Sequence, residues 1–340
     1  MIRMGYLLGV DQGASKTIAV LGDEQGTILG VGYSGGACHS SDGMATAMAK
    51  VKEACEQALT EARVRMDKVK LMVGGLTGAD WDYEYELLHE ALFQTLGISD
   101  IRVYNDCKIA LRGGTDLPHG IVLCAGTAFN AAATGADGQE MIYGFYINDE
   151  DMGGTALGKA VIVALCNALF GIADPTALTA AVLKHYDLPS VDDLLYRRIN
   201  RQLGLYKELA PLLFDTVKLG DAVAVQIVER FGKSVARYAL AGLQRFGLTD
   251  VETDVVLSGS IFKAQDRTLQ RIIAESIRDW APKTRVVDAL YEPVVGAFLS
   301  ALDSWHGRPF PLKSDRLYQS AQRFNLIRLD LEERNDARVQ

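Results

Sequence analysis

The sequence predicts an α/β protein of two lobes, in which the second lobe repeats the first. Its 340 residues exceed what one compact core usually holds, which favours two lobes with a cleft between them. Apolar strand-like runs alternate with amphipathic helical runs, a pattern typical of parallel strands joined by helices. Residues 120–142 repeat the order of elements in residues 7–29: an apolar strand, a turn of small residues, a second strand and a glycine hairpin. An internal duplication explains this repetition.

The first lobe is predicted to start with a three-stranded meander. Apolar residues at spacings of three and four then indicate one helix from residue 42 to about 65, which covers the meander. Alternating strands and helices follow, and we place the lobe boundary near Pro118, which gives lobes 1–117 and 118–302. The meander is predicted from strands at 5–11 and 17–23 and is closed by the glycine-containing hairpin 23–30. In chain order, a strand at 69–75, a helix at 82–97, a strand at 101–106 and a helical segment at 107–114 follow.

The second lobe is predicted to carry a helical insertion over residues 153–246, after its repeated meander. A strand at 253–260, a helix at about 266–280, a strand at 284–288 and a helix after Pro293 complete it. The segment 303–340 is more charged and less periodic. Two alternatives are open for it: a helix that caps and joins the first lobe, or a partly disordered tail.

Composition and charge exclude several classes of protein. Apolar residues make up 49% of the chain, which suits a well-packed globular protein, and the net charge of −8 argues against nucleic acid as a partner. The N-terminus meets Asp11 before any run long enough for a leader or a membrane span, so we expect a cytoplasmic protein without membrane contact. The five cysteines are scattered and are expected to be reduced thiols. A small-molecule partner fits this composition best.

The first turn, Asp11–Thr17, joins two strands with small residues that let backbone N–H groups approach an anion. It lacks the spacing of a P-loop and no helix follows it directly, so we interpret it as a different kind of phosphate loop. An ordinary hairpin with polar turn residues is the alternative. The carboxylate of Asp11 could hold Mg²⁺ through water beside a nucleotide phosphate.

Two further glycine turns follow predicted strands. Residues 125–130 lie at the equivalent place in the repeat, so this turn and the first could hold a polyphosphate from both sides. Residues 257–262 follow an apolar strand and precede a helix, which suits close approach to a base or ribose. Three such turns in this order favour a nucleotide site more strongly than any one of them.

Asp106 is the candidate general base. It ends the strand at 101–106, so its carboxylate lies at the carboxyl end of a parallel strand, where open α/β sheets bind their ligands. Phosphoryl transfer to an alcohol needs a group there that accepts the hydroxyl proton. The alternative is that Asp106 is only the N-cap of the following helix.

These motifs together resemble the BadF/BadG/BcrA/BcrD ATPase family, and most closely its N-acetylglucosamine and glucosamine kinases. The resemblance runs from about residue 5 to 303 and rests on the order D-Q-G-A-S-K-T, G-A-C-H-S, G-L-T-G-A-D, V-Y-N-D-C-K, V-L-C-A-G-T-A-F-N, V-V-L-S-G-S-I-F and E-P-V-V-G-A-F-L. It implies two ribonuclease-H-like lobes of the actin and hexokinase type, ATP with Mg²⁺ in the cleft, a sugar substrate, lobe closure and a homodimer.

The resemblance also assigns roles by position, with Asp106 as the base and Asp11 at the metal. The residues it places around the nucleotide are Asp11, Gly13, Ala14, Ser15, Lys16, Thr17, Gly126, Thr127, Gly259 and Ser260. Those it places near the sugar are Gly36, His39, Gly78, Asp80, Asn130 and Asp151. For His39, a plain loop residue is the alternative.

Three departures from the family pattern bear on activity. Ala128 and Phe129 replace small residues of the second phosphate loop, residues 144–154 match the family only loosely, and Cys38 stands where the kinases have asparagine. Two alternatives to a sugar kinase therefore stay open. One is a sugar or nucleotide sensor without catalysis, and the other is an ATPase that activates a dehydratase through an iron–sulfur cluster held by Cys124 and Cys166.

Overall fold

Two five-stranded sheets with the same topology organise the part of the chain described by the computed structural model, residues 5–204, 206–263 and 267–328. The first sheet has the order β3-β2-β1-β4-β5 and the second the order β10-β9-β6-β7-β8. In each sheet, three consecutive antiparallel strands are followed by two parallel ones. The predicted α/β fold with an internal duplication is confirmed.

The strands closely follow the apolar runs of the sequence. Their bounds are β1 Tyr6–Gln12, β2 Lys16–Asp23, β3 Ile28–Gly35, β4 Val69–Leu76, β5 Ile101–Asn105, β6 Gly120–Ala125, β7 Phe129–Thr134, β8 Glu140–Ile142, β9 Thr253–Ser258 and β10 Thr284–Asp288.

The α-helices flank both sheets, and short 3₁₀ turns connect several elements. Their bounds are α1 His39–Asp42, α2 Met44–Ala62, α3 Asp82–Leu96, α4 Asp106–Arg112, α5 Gly153–Leu169, α6 Leu178–Tyr186, α7 Val191–Ile199, α8 Ala210–Lys218, α9 Ala222–Arg245, α10 Thr268–Arg278, α11 Pro293–His306 and α12 Asp315–Arg323. The 3₁₀ turns are Met66–Lys68, Gly144–Tyr146, Asp149–Asp151, Tyr206–Leu209 and Ser260–Lys263. None of the helices within these ranges combines the length and apolar content needed to cross a membrane.

Helix α2 covers one face of the first sheet, as its apolar spacing predicts. It approaches β3 so closely that a Cβ atom on Gly32 would lie 2.0 Å from the carbonyl oxygen of Ala54. The single helix predicted from residue 42 is wrong at its start. Gly43 has φ +86°, a left-handed conformation that ends α1 and separates it from α2.

Helix α11 covers the opposite face of the first sheet and begins with Pro293 at its first turn. Its residue Phe298 is fully buried in the core of that sheet. Helix α11 also crosses α4 almost backbone to backbone, because a Cβ atom on Gly296 would lie 1.8 Å from the carbonyl oxygen of Ile109. This crossing holds α4, whose first residue is Asp106, against the first sheet.

The segment after α11 packs on the first sheet as far as it is described. The hydroxyl group of Ser320 in α12 accepts a hydrogen bond from the backbone N–H of Ile28 at 3.0 Å. Beyond α12, Ile327 pairs with Tyr291 and the N–H of Arg328 donates to the carbonyl of Leu290. Residues 303–328 thus form a cap, whereas residues 329–340 lie outside the described residues.

The division into lobes 1–117 and 118–302 stays a prediction. Helix α11 begins inside the second of these ranges and packs on the first sheet. The insertion predicted at 153–246 consists of helices α5 to α9, which bury the core of the second sheet.

The crossing of α4 and α11 gives a first prediction. Replacing Gly296 with alanine forces the two helices apart and should lower the free energy of unfolding by ~3 kcal/mol, since overpacking a tight contact costs about that much. The matched control is Gly74→Ala in β4, where a Cβ atom would meet its neighbours at 3.6 Å or more. Denaturant unfolding of both variants checks this, and equal stabilities would contradict the proposed constraint.

Candidate active site

A cavity of about 460 Å³ lies between the two sheets and is lined by residues from both. It brings the three predicted glycine turns together. The first turn contributes Asp11, Gly13, Ala14, Ser15 and Lys16, the second Gly126, Thr127 and Asn130, and the third Gly259 and Ser260. Asp106 lines the same cavity. Thr17, Gly36, His39, Gly78, Asp80 and Asp151 are not among its lining residues.

The first turn is a tight hairpin between β1 and β2. The N–H of Gly13 donates to the carbonyl of Lys16 at 2.9 Å. Thr17 is fully buried and its hydroxyl group donates to the carbonyl of Gly35 at 3.0 Å, so it holds the hairpin rather than facing the cavity. Gly36 packs behind the turn, since a Cβ atom there would lie 2.4 Å from the carbonyl oxygen of Ala14.

The second turn is braced from behind by the start of helix α5. The N–H groups of Gly154 and Thr155 donate to the carbonyls of Gly126 and Thr127 at 2.8 and 3.0 Å. Carbonyl groups that would repel an anion are therefore turned towards the helix. Gly153 makes this contact possible, because it has φ +57° and a Cβ atom there would lie 2.3 Å from the carbonyl oxygen of Ala128.

Phe129 is one of the residues that line the cavity, yet most of its side chain packs behind the same turn. Its side chain is 5% exposed and its ring lies against the ring of Tyr238, with 5.3 Å between centroids. The bulky residue that departs from the family pattern thus belongs to the core of the second sheet.

Asp106 begins helix α4, because strand β5 ends one residue earlier at Asn105. The N-cap is Asn105, whose side chain accepts a hydrogen bond from the N–H of Cys107 at 2.9 Å, so the alternative that Asp106 is the N-cap is wrong. One carboxyl oxygen of Asp106, Oδ1, is buried without a hydrogen-bond partner. That atom is available to a ligand in the cavity.

Two carboxyl groups in the cavity have raised pKa values. Burial and the nearby Asp80 raise the pKa of Asp106 to about 6. Burial raises the pKa of Asp11 to about 7, and the charges of Asp106 and Glu292 add to this against the opposing effect of Lys16. Ionising both carboxyl groups inside the cavity is therefore unfavourable, and a bound cation would stabilise their ionised forms.

Sequence reasoning missed three charged residues of this cavity: Lys263, Glu292 and Arg328. Glu292 lies within 4 Å of the side-chain nitrogens of Lys16, Lys263 and Arg328. Burial raises the pKa of Glu292, but the three cations outweigh it and hold the pKa below its ordinary value. Glu292 is the first residue of the run E-P-V-V-G-A, and this motif is the sequence feature that could have identified it. Arg328 belongs to the segment 303–340, whose sequence has no periodic pattern from which its position could be predicted.

Lys207 is a further residue at the second turn that sequence reasoning missed. Its ammonium group donates to the hydroxyl oxygen of Thr127 at 3.1 Å, and it comes from the 3₁₀ turn Tyr206–Leu209 of the helical insertion. The insertion thus brings a positive charge to the turn.

His39 and Asp80, two of the residues predicted near a sugar, belong to a second polar cluster beside Asp106. The ring Nε2 of His39 lies 3.5 Å from a carboxylate oxygen of Glu84, and both side chains are less than 10% exposed. The other oxygen of Glu84 accepts a hydrogen bond from the N–H of Asp80 at 2.9 Å. Asp80 in turn accepts from the side chain of Asn105 at 2.8 Å. His39 is therefore held by a buried carboxylate, which the plain-loop alternative does not anticipate.

Two glycines shape this cluster. Gly78 has φ +80°, and a Cβ atom there would lie 2.7 Å from Sγ of Cys38. Gly144, from the predicted second lobe, faces the carboxylate of Asp80, to which a Cβ atom would lie 3.4 Å away. The side chain of Asn130 accepts from the N–H of Gly144 at 3.0 Å and ties this loop to the cavity.

Asp151 lies apart from both groups of residues. It is 1% exposed, accepts a hydrogen bond from the hydroxyl group of Tyr238 at 3.0 Å and lies 3.6 Å from Arg237. Of the two cysteines considered for a cluster, Cys124 lines the cavity and Cys166 packs against the core of the second sheet. Within the described ranges, no group of three or more His, Cys, Asp and Glu side chains could hold a metal ion.

Comparisons with known proteins agree with this geometry. A profile of the BadF/BadG/BcrA/BcrD ATPase family matches residues 8–301. The glucosamine kinase GspK of Vibrio cholerae is 25% identical over 285 residues, covering 82% of this chain and 88% of that protein. An N-acetylmuramic acid/N-acetylglucosamine kinase of Clostridium acetobutylicum is 23% identical over 265 residues, covering 76% and 86%. The ROK family glucokinase of Streptomyces griseus, solved with glucose and AMPPNP, superposes with a TM-score of 0.58 at 20% identity, covering 87% and 98%.

The raised pKa values give a prediction for the protein without ligands. A carboxyl group whose pKa is higher in the folded state destabilises the fold as it ionises, so stability should fall as pH rises from about 4 to about 7. Asp106→Asn removes part of this cost. The melting temperature of the variant should equal that of the native protein at pH 4 and exceed it by ~2 °C or more at pH 8. The control is the exposed Asp215→Asn, and an offset that does not change with pH would refute the assignment.

Proposed function

The chain belongs to the BadF/BadG/BcrA/BcrD ATPase family, and from this premise we propose that it transfers the γ-phosphate of ATP to a hydroxyl group of an amino sugar or a related carbohydrate. The observation that carries the proposal is the carboxyl group of Asp106, with one unpartnered oxygen at the junction between the cavity and the polar cluster of Asp80 and His39. A phosphate donor in the cavity and an alcohol at the cluster would meet there.

Asp106 acts as the general base. With a pKa of about 6 it is ionised at neutral pH and is a stronger base than an ordinary aspartate. It accepts the proton of the acceptor hydroxyl group as the phosphoryl group is transferred. Proton acceptance is a late and modest part of such reactions, and positioning carries most of the catalysis.

The three turns hold the nucleotide. The first and second turns face the phosphates from opposite sides, with Lys16 on one and Lys207 near the other. Gly259 and Ser260 lie at the adenosine, where Gly259 has φ +98° and a Cβ atom would lie 2.2 Å from the carbonyl oxygen of Ala125. The glycine therefore lets the third turn lie directly against the second.

Asp11 fits a Mg²⁺ ion that arrives with the nucleotide. Its raised pKa reflects a buried carboxyl group beside the charge of Asp106, and a divalent cation would stabilise its ionised form. Mg²⁺ in kinase sites is commonly held by one or two carboxylates together with phosphate oxygens. A bound Mg²⁺ would neutralise charge on the phosphates, and Asp11 would hold it in the cavity.

The acceptor binds at the cluster of His39, Asp80 and Glu84. Carboxylate and imidazole groups recognise sugar hydroxyl or amino groups by hydrogen bonds, and their mutual contacts fix their orientation. The curated relatives are named for glucosamine, N-acetylglucosamine and N-acetylmuramic acid, which supports an amino sugar here. We also infer action in the cytoplasm, where ATP is supplied, and a homodimer as the resemblance implies.

The role of Asp106 is tested by Asp106→Asn. The variant should lose kcat by ~100-fold or more, while the Kd for ATP stays within about twofold, because removal of a general base affects the transfer step rather than binding. The measurement is product formation over a panel of amino sugars and hexoses, with calorimetry for ATP. Asp215→Asn is the control. A folded protein that binds ATP and phosphorylates none of these sugars would favour the sensor alternative.

The brace behind the second turn gives a separate prediction. Gly153 and Gly171 lie at the two ends of α5 with φ +57° and +68°, but only Gly153 has a close neighbour, the second turn. Alanine at either position should cost ~1 kcal/mol of stability, because both require a left-handed backbone, and the contact of Gly153 with the second turn should add to this cost. Only Gly153→Ala should also displace the turn and raise the KM for ATP, by ~10-fold, a change of about 1.4 kcal/mol. A similar KM in both variants would contradict the role of the brace.

A further inference from the structure

Glu292 is the meeting point of three cations inside the cavity. It precedes α11, and its side chain is 12% exposed. The ammonium group of Lys16 lies 3.9 Å from one of its oxygens, Lys263 donates a hydrogen bond to the other, and Arg328 lies 3.7 Å away. These cations come from three distant parts of the chain: the first turn, the end of the third turn and the segment after α12.

The three cations are held differently. The side chain of Arg328 is 5% exposed, and it also donates a hydrogen bond to the carbonyl of Gly259 at 2.8 Å. This residue is therefore fixed in the floor of the cavity. The side chains of Lys16 and Lys263 are 58% and 47% exposed, so their ammonium groups can move when a better anion enters.

Around Glu292 itself, three cations face one carboxylate. Asp11 also interacts with Lys16, and Asp288 with Arg328. Both exposed lysines lie next to turns that line the cavity, where an anion that carries several charges can draw them away from Glu292. Glu292 thus occupies the position of an anion within reach of both lysines.

We propose that Glu292 is a built-in substitute for the nucleotide's phosphates, and that Lys16 and Lys263 transfer from it to the β- and γ-phosphates when ATP binds, while Arg328 keeps its contact with Glu292. The inference rests on the proposed function and adds a phosphate-binding role for Lys263 and a competing role for Glu292. Glu292 holds the lysines near their working position and offsets their mutual repulsion before a nucleotide binds, at some loss of nucleotide affinity.

Competition between Glu292 and the phosphates predicts that removing the charge of Glu292 raises the affinity for ATP relative to AMP. Glu292→Gln keeps an oxygen acceptor for Arg328 but removes the charge that competes with phosphate for the lysines. The ratio of ATP affinity to AMP affinity should therefore rise, by ~5-fold, because AMP lacks the phosphates concerned. Lys263→Met should lower the same ratio by ~10-fold. In the double variant the gain from Glu292→Gln should shrink, since one of the two lysines is gone.

The experiment is calorimetric titration of the full chain with AMP, ADP and ATP in the presence of Mg²⁺. The controls are Glu229→Gln and Lys233→Met, an exposed ion pair at 3.5 Å on α9, which should leave the ratio unchanged. If Glu292→Gln lowers AMP and ATP affinity equally, or leaves the ratio unchanged, the competing role is refuted.

Thermal melting separates folding from binding. Should Glu292→Gln fail to fold, Lys263→Met alone decides, and an unchanged ratio in that variant overturns the inference. Native protein that binds no nucleotide at millimolar concentration would overturn the proposed function as well. If the native protein binds ATP but Glu292→Gln and Lys263→Met behave as the controls do, only this inference is overturned.

Discussion

The site depends on the contact of helix α11 with the first sheet and with α4. Gly296 lets α11 cross α4 without side chains between the backbones, and the crossing sets the position of α4 and of Asp106 at its start. The same helix begins at the cavity, where Glu292 precedes Pro293. One packing contact therefore fixes the position of the candidate base, Asp106, relative to Glu292 at the centre of the cation cluster. Core contacts of this kind tolerate little change, because interiors are packed as densely as crystals.

Electrostatics in the cavity is balanced between two groups of charges. Asp11 and Asp106 are buried close enough to raise the pKa of Asp11, whereas Glu292 is surrounded by cations that lower its own. The first arrangement favours a divalent cation and the second a polyvalent anion. A magnesium–nucleotide complex carries both charges, so one ligand can satisfy both halves of the cavity.

Much of the fold could be predicted because its signals are local. Apolar runs and glycine turns gave the strands and the duplication, and the three turns do meet at one cavity. The remainder depends on long-range contacts that no local pattern encodes. Arg328 reaches the cavity only because the segment after α12 pairs with residues beside Leu290. Glu84 had the spacing of an ordinary helix-surface charge, and its contact with His39 follows from the path of the loop before α1. The ring of Phe129 faces the core because of the strand's alternation, which the family pattern alone did not show.

The return of the chain to the cavity after α12 has a consequence for biosynthesis. Residues 290–328 pack on the first sheet and supply Glu292 and Arg328, yet they leave the ribosome after every strand of both sheets. Because domains tend to fold as they are made, one face of the early strands stays uncovered until this later segment has been made. The nascent chain therefore completes its cation cluster only after residue 328 has been synthesised.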